Sequence, residues 1–466
     1  MGKSSTSEDE KTVGGRDRVR KGLEPKHPDA AGIDVGSRVH YVAVPPDRDE
    51  QPVRRFGCTT PELHEMAKWL RACDIRTVVV ESTGVYWIPV VQVLEEYTLE
   101  VLLVDARHVR NVPGRKTDVQ DCQWLQELHT YGLLSPAFRP SQEILPLRSY
   151  WRHRAELVGY GAQQIQRMHK ALEQMNVQVQ KIVSDLSGQT GMRIIRAIVQ
   201  GERNPVRLAQ LRHASVKHDE ETYVKALTGT YRTEHVFALR HAVELYDTFQ
   251  EKIAECDREI ASYMQSLQGP NEGETIGTKP PKKRGSFRRK NQPHFDLREE
   301  LYRFTGVDLT QIDGIDAMTA QTVISEQGID MSRFPTEKHF TSHLGLCPNN
   351  RISGGKVLRS RTRKVQSRAA KALRVAAQSL HRSRTAIGAF YRRLRARLGA
   401  PKAITATARK IAIQIYRMLK YGKDYIDQGE QAYQEQYKDR LTKNLAKQAR
   451  KLGLQLLNAQ TGQLLS

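Results

Sequence analysis

The chain has 466 residues, 74 Lys and Arg against 52 Asp and Glu, a net charge of +22 and a pI of about 9.8. That length allows two or three domains, and 39% hydrophobic residues supply their cores. No apolar run reaches membrane-spanning length, and five scattered cysteines without a CxxC pair argue against a disulfide framework or a zinc finger. The expectation is a soluble protein of a reducing, cytoplasmic compartment.

The charge is concentrated. From Lys338 to Lys423 there is no Asp or Glu, and this stretch holds 22 of the 74 bases, so bases and acids balance elsewhere. Nucleic acid is the partner that such a stretch fits, and its binding should weaken steeply with salt.

Residues 1–28 are polar and aperiodic and read as a disordered tail. Residues 29–145 alternate strand and helix. Strands are expected at 33–35 and 41–44, joined by a tight turn at Gly36 and Ser37, with a third near 53–58. Thr60 and Pro61 open a helix to about Cys73. A buried strand at 77–81, a helix at 86–96 and a strand at 99–105 follow. This order predicts a ribonuclease-H-like α/β sheet.

Acids mark its strand ends: Asp34 in Gly-Ile-Asp-Val and Glu81 in Val-Val-Val-Glu. Asp118 and Asp121 lie three apart on one face of the next expected helix, with no Lys or Arg three or four positions further on. Singly, Asp34 fits a strand-end turn, Glu81 a helix cap, and the two aspartates a helix first turn. Together, four carboxylates at the carboxyl ends of strands would repel unless a hard cation neutralised them. They predict a Mg²⁺ site acting on phosphodiesters, with two metals about 4 Å apart.

Residues 146–268 read as helical. Ile165, Met168, Leu172, Met175, Val179 and Ile182 alternate spacings of three and four, a coiled-coil seam. Leu239, Val243, Tyr246, Ile253, Cys256, Ile260, Tyr263 and Leu267 form a second seam with a break near Phe249. Both read as core, with dimerisation or an arm that spaces two active sites as the functional reading. Short helices are expected within 188–205 and 216–227. Residues 269–296 are a Gly- and Pro-rich basic linker, either solvated or an arm on phosphates.

Residues 297–425 form the basic domain, followed by a helical tail over 426–466. Ile312-Asp313-Gly314-Ile315 looks like a helix-hairpin-helix, in which Gly314 lets backbone N–H groups approach a phosphate. Helices are expected near 363–380, 385–398 and 402–421. Before them, Ser353 precedes Gly354 and Gly355 and lies between Arg351 and Lys356, with Arg359, Arg361, Arg363 and Lys364 beyond. The plain reading is a loop on DNA backbone. The sharper one makes Ser353 a nucleophile on phosphorus. No His partner stands out in sequence, so metal held by the four acids would have to activate it, within one chain or between protomers.

These residues carry a resemblance. Gly32-Ile33-Asp34-Val35, Glu81-Ser82-Thr83-Gly84, Lys116-Thr117-Asp118-Val119-Gln120-Asp121, the 191–205 stretch, Ile312-Asp313-Gly314-Ile315, Leu344-Gly345-Leu346 with Pro348, and Ser353-Gly354-Gly355-Lys356 are together similar to one family. The chain resembles the DEDD-type insertion-sequence transposases related to Piv site-specific invertases, the RNA-guided bridge recombinases. The resemblance covers roughly residues 29–425.

It implies a RuvC-like domain in which Asp34, Glu81, Asp118 and Asp121 bind Mg²⁺, and a C-terminal domain whose serine, here Ser353, forms a covalent phosphoserine link to DNA. Many members show two serines before the glycines; here Ile352 stands in the first place. It further implies a homo-oligomer, dimer or tetramer, with active sites shared between protomers in a prokaryotic, nucleoid-associated protein. A structured guide RNA would pair with target and donor DNA, and exchange would pass through top-strand cleavage and a Holliday-like junction. The alternative activity is a metal-dependent junction resolvase or nuclease using water, with the same acids but no Ser353. A second alternative is a non-enzymatic nucleic-acid-binding regulator with structural acids. An actin-like ATPase is suggested only by Gly32 to Ser37, without a second phosphate loop.

Overall fold

The computed structural model describes residues 24–82, 84–105, 118–214, 216–269, 290–363, 365–422 and 428–457. Lys116, Thr117, Lys364, most of the expected linker and most of the expected N-terminal tail lie outside them. The chain divides into two compact units, residues 1–139 and 140–466.

The first unit is a five-stranded mixed sheet. β1 (Ala30–Val35), β2 (Val39–Ala43) and β3 (Val53–Gly57) form an antiparallel meander, and β4 (Thr77–Glu81) and β5 (Glu100–Val104) add in parallel to give the order β3-β2-β1-β4-β5. This is consistent with the ribonuclease-H-like expectation. One face of β1 and β4, through Ile33, Val35, Val78 and Val80, packs on α1 (Thr60–Ala72) and α2 (Trp87–Glu96). The other carries Val79 and, with Val104, covers Leu125 of α3 (Asp118–Thr130). A sheet buried on both faces needs near-continuous apolar strands, which is how β4 reads. α1 is capped by Thr59 rather than the expected Thr60, because its N–H reaches Glu62 Oε2 at 3.1 Å to close a capping box. Lys26 and His27 already donate backbone N–H groups to the Thr130 carbonyl at the end of α3.

The second unit is built on a long antiparallel helix pair, α4 (Ile144–Gln174) and α8 (Thr233–Ser266). Tyr150 meets Tyr263 and Tyr160 meets Phe249, so the helices run in opposite directions. The two seams expected from sequence close on each other within this chain. α8 runs unbroken past Phe249, but no residue between Val243 and Ile253 is buried, so the seam itself has its break there. Gly161 of α4 lies opposite, its missing Cβ within 3.9 Å of Phe249 Cβ, and the half-buried Phe249 ring packs on Tyr160. α4 also stops before the expected Ile182: Asn176 takes a left-handed φ of 55°, and Val177 N–H bonds back to the Leu172 carbonyl. At the centre of the pair Arg154 and Asp257, each 2% exposed in its side chain, form an ion pair at 2.5 Å.

α5 (Gln189–Val199), α6 (Pro205–Gln210) and α7 (Glu220–Leu227) close a second core around the end of α4 and the start of α8. At the other end α4 meets the basic region. Arg148 and Arg152 grip the buried Glu326 of α10 (Ala317–Gln327), and Trp151 Nε1 donates to Thr322. α9 (Leu297–Thr305) precedes α10, and α11 (Glu337–His343) follows. A two-stranded hairpin comes next, β6 (Pro348–Ser353) and β7 (Lys356–Thr362), then α12 (Arg368–Ser379), α13 (Ala386–Leu398) and α14 (Ala400–Tyr421). α15 (Gly429–Lys451) rests on α13 through Arg392–Glu430 at 2.6 Å and through Arg393 over the Tyr437 ring.

Candidate functional site

β1 and β4 run parallel with Ile33 opposite Val80, so Asp34 and Glu81 are the next pair along. Residues in register on neighbouring parallel strands share a face, with backbones roughly 5 Å apart. That face is the one under α3. Gly32, two residues before Asp34, touches the helix backbone: a Cβ there would lie 2.4 Å from Gln126 N and 2.5 Å from the Cys122 carbonyl oxygen. Glycine is what lets α3 lie on the sheet. Asp118, Asp121, Cys122 and Leu125 follow each other at helical spacing, and Cys122 and Leu125 are fully buried. Burial pushes the Cys122 thiol up to about 12, and the carboxylates of Asp34 and Asp121 push in the same direction.

Asp34, Glu81 and Asp121 are half-buried and Asp118 is exposed. The fold thus brings strand acids and helix acids to one side of the sheet. It does not close them into a ligand cage: among the described residues no three Asp, Glu, His or Cys stand together as a group that could hold a metal. The donors on this face are carboxylate oxygens, the set that suits a hard divalent cation rather than zinc or copper.

The Ser353 segment, expected as a loop, is the tip of the β6–β7 hairpin. Gly354 and Gly355 both have positive φ, 53° and 75°, as a tight two-residue turn requires. A Cβ at either would meet nothing within 4 Å, so it is the backbone conformation, not space, that asks for glycine. Ser353 pairs with Lys356, Arg351 with Arg359 and Asn349 with Arg361. Side chains alternate along β6, so Asn349, Arg351 and Ser353 share one face, and their partners bring three cations to it. At its base Asn349, Arg351, Arg359, Arg361, Thr362 and Arg363 line a groove of about 240 Å³. Every residue of both strands is exposed save Thr362, which is half-buried.

Residues 31–177 match a family model of DEDD transposases of the IS110 type, described as transposase, and residues 308–392 match that of the transposase IS116/IS110/IS902 family. Both matches support an IS110-type transposase. No curated protein matches the chain. The first match contains all four acids and the second contains Ser353 and its cations. A transposase processes DNA, so these matches support a DNA partner and the transposition of an insertion sequence. The DEDD match also suggests use of a divalent metal. Among the described residues no helix is long and apolar enough to cross a membrane.

Two other expected site residues pack against the chain itself. Gly314, φ 83°, lies against α12: a Cβ would sit 2.8 Å from the Ala376 carbonyl oxygen. The first helix expected before it is a single 3-10 turn, Leu309–Gln311. Arg363 Nη2 donates to the Ser342 carbonyl at 2.7 Å and ties the hairpin to α11. Burial and the Arg363 charge together hold the neighbouring His343 down to about 4. Sequence reasoning missed Gly32 as a packing residue and Asn349 and Thr362 as groove walls. A glycine two places before a strand-end acid, and Gly-Gly between short basic runs, are the signals that could have found them.

Proposed function

We propose that this transposase cuts and rejoins DNA through Ser353, with Asp34, Glu81, Asp118 and Asp121 holding Mg²⁺. The observation that carries the reading is the register of Asp34 with Glu81 under the Asp121 end of α3. When bound, the cation would offset phosphate charge and lower the pKa of an attacking hydroxyl. Ser353 Oγ bonds to phosphorus as one ester oxygen of the DNA strand departs as a free hydroxyl. A hydroxyl of the exchanged strand then reverses the step and frees Ser353, so rejoining needs no nucleoside triphosphate. Arg351, Lys356 and Arg359, on the same hairpin face, hold the phosphate and its neighbours, and Arg361 extends that grip. Ser353 acts within an assembly of several copies, and a structured guide RNA pairs with both DNAs. The acid-free basic stretch supports that part, since it offers much backbone contact.

The test is a denaturing gel of element-end DNA incubated with the protein and the RNA that copurifies with it. The wild type gives a protein-linked DNA band that protease collapses. Ser353→Ala gives none, and Asp34→Ala and Asp121→Ala remove both band and strand exchange. Exchange by Ser353→Ala refutes the nucleophile, and nicks without attached protein point to water instead. Sequencing the copurified RNA tests guidance: a random cellular mixture counts against it.

A further inference from the structure

On the face of the hairpin opposite Ser353, the end nearest the turn is apolar, and Asn350 and Ser360 pair further down the same face. Ile352 pairs with Val357, and the register then steps to Arg351–Arg359, which leaves Leu358 as the extra residue of a β-bulge beside that pair. The three side chains are 62%, 57% and 70% exposed. They stand together on a ribbon that no third strand joins among the described residues, an arrangement that is marginal in water without a partner. A second copy packed on this apolar face would leave the cations of Arg351, Lys356, Arg359 and Arg361 on the other face unmatched. Nucleic acid satisfies both faces. Its phosphates match the cations, and the broadest apolar surface it offers is the face of an unstacked base.

We propose that the hairpin is a wedge: Ile352, Val357 and Leu358 hold unpaired DNA bases beside the phosphate that Ser353 faces. This deepens the strand-exchange reading and rests on it, since a strand must leave its partner before it can be joined elsewhere. A two-stranded ribbon is narrow enough to enter a DNA groove, which is about 12 Å wide on the major side. Its bulge adds local twist and sets Leu358 next to the Ile352–Val357 pair at the point of entry. The apolar trio supplies contact that paired DNA returns less fully, and the cationic face supplies contact that paired and unpaired DNA return equally.

The test uses the full-length protein, a mixed-sequence duplex carrying 2-aminopurine, and the same duplex with a central unpaired bubble. Wild type is expected to prefer the bubble about tenfold, or about 1.4 kcal/mol, at one fixed salt concentration. It should also raise 2-aminopurine fluorescence in the paired duplex as the base leaves the stack. The triple variant Ile352→Ser, Val357→Ser, Leu358→Ser should bring the preference to about one while keeping its affinity for the paired duplex. Leu358→Ser alone, at the bulge, is the milder variant should the triple one fail to fold, and should lower the preference in part. Equal wild-type affinity for both duplexes, or a preference that survives these substitutions, overturns the proposal. So does a change in oligomeric state by light scattering, which would assign the face to a second copy. None of these readouts needs cleavage. A failed nucleophile assignment therefore shows as missing protein–DNA adducts with the bubble preference intact, and a failed wedge as the reverse.

Discussion

Gly32→Ala tests whether the acids are placed as described. The added methyl would sit 2.4 Å from Gln126 N and 2.5 Å from the Cys122 carbonyl oxygen, both backbone atoms of α3 that cannot rotate away. Ordinary carbon contacts lie near 3.5–4 Å, so α3 must rise from the sheet by about 1 Å. That strains the packing of Leu125 on Val79 and Val104 and disturbs Cys122; Leu125 and Cys122 are both 0% exposed. Overpacking of this kind costs about 3 kcal/mol, and lowers the melting temperature of the first unit by on the order of 10 °C. Asp121 moves with the helix while Asp34 stays with β1. A displacement of about 1 Å at a reacting centre can cost about 100-fold in rate. Calorimetry should therefore show the loss of stability, and Mg²⁺-dependent cleavage should fall by that order with DNA affinity unchanged. Gly159→Ala in α4 is the control: nothing lies within 4 Å of its missing Cβ, and it should stabilise by about 0.5–1 kcal/mol. Wild-type melting and cleavage for Gly32→Ala would refute the packing of α3 on β1.

Three further outcomes follow from other parts of the chain. Arg154→Ala removes the ion-pair partner of the buried Asp257 and should cost about 3–5 kcal/mol by denaturant titration, whereas replacing both with leucine should cost far less. His129 is buried, accepts or donates to Thr77 Oγ1 at 2.9 Å, and is held down to about 4 mainly by burial, so the native state keeps it neutral. The unfolded chain takes up that proton first; the contribution is full above about pH 6.5 and is lost as pH falls from there towards 4, and a melting curve of His129→Gln against pH should be flatter through that window. Arg359→Ala with Arg361→Ala should reduce the slope of log affinity for DNA against log salt by about two, one for each phosphate no longer neutralised, in fluorescence anisotropy titrations.

Much of the first unit was legible because strand and helix leave different periods in a chain. β4 and α1 stand within a residue of their expected limits, and Asp34 and Glu81 end strands as expected. The hairpin was not legible. Its strands are exposed on both faces, so β6 and β7 carry no apolar alternation, and only Gly354-Gly355 announced the turn. The two seams were read correctly as core, but a seam does not say where its partner lies. α4 and α8 close on each other within one chain, with Gly161 opposite Phe249 at the expected break.

Residue types in order determined the kinds of element, the run of acids from Asp34 to Asp121, and the concentration of positive charge between Lys338 and Lys423. These depend on neighbours along the chain, and neighbours along the chain are what a sequence records. Tertiary structure alone decided that Asp34 falls in step with Glu81, that Gly32 bears the weight of α3, and that Gly314 turns against α12. Those are contacts between distant segments, set by strand register and by how closely two backbones can approach, and no local pattern encodes either.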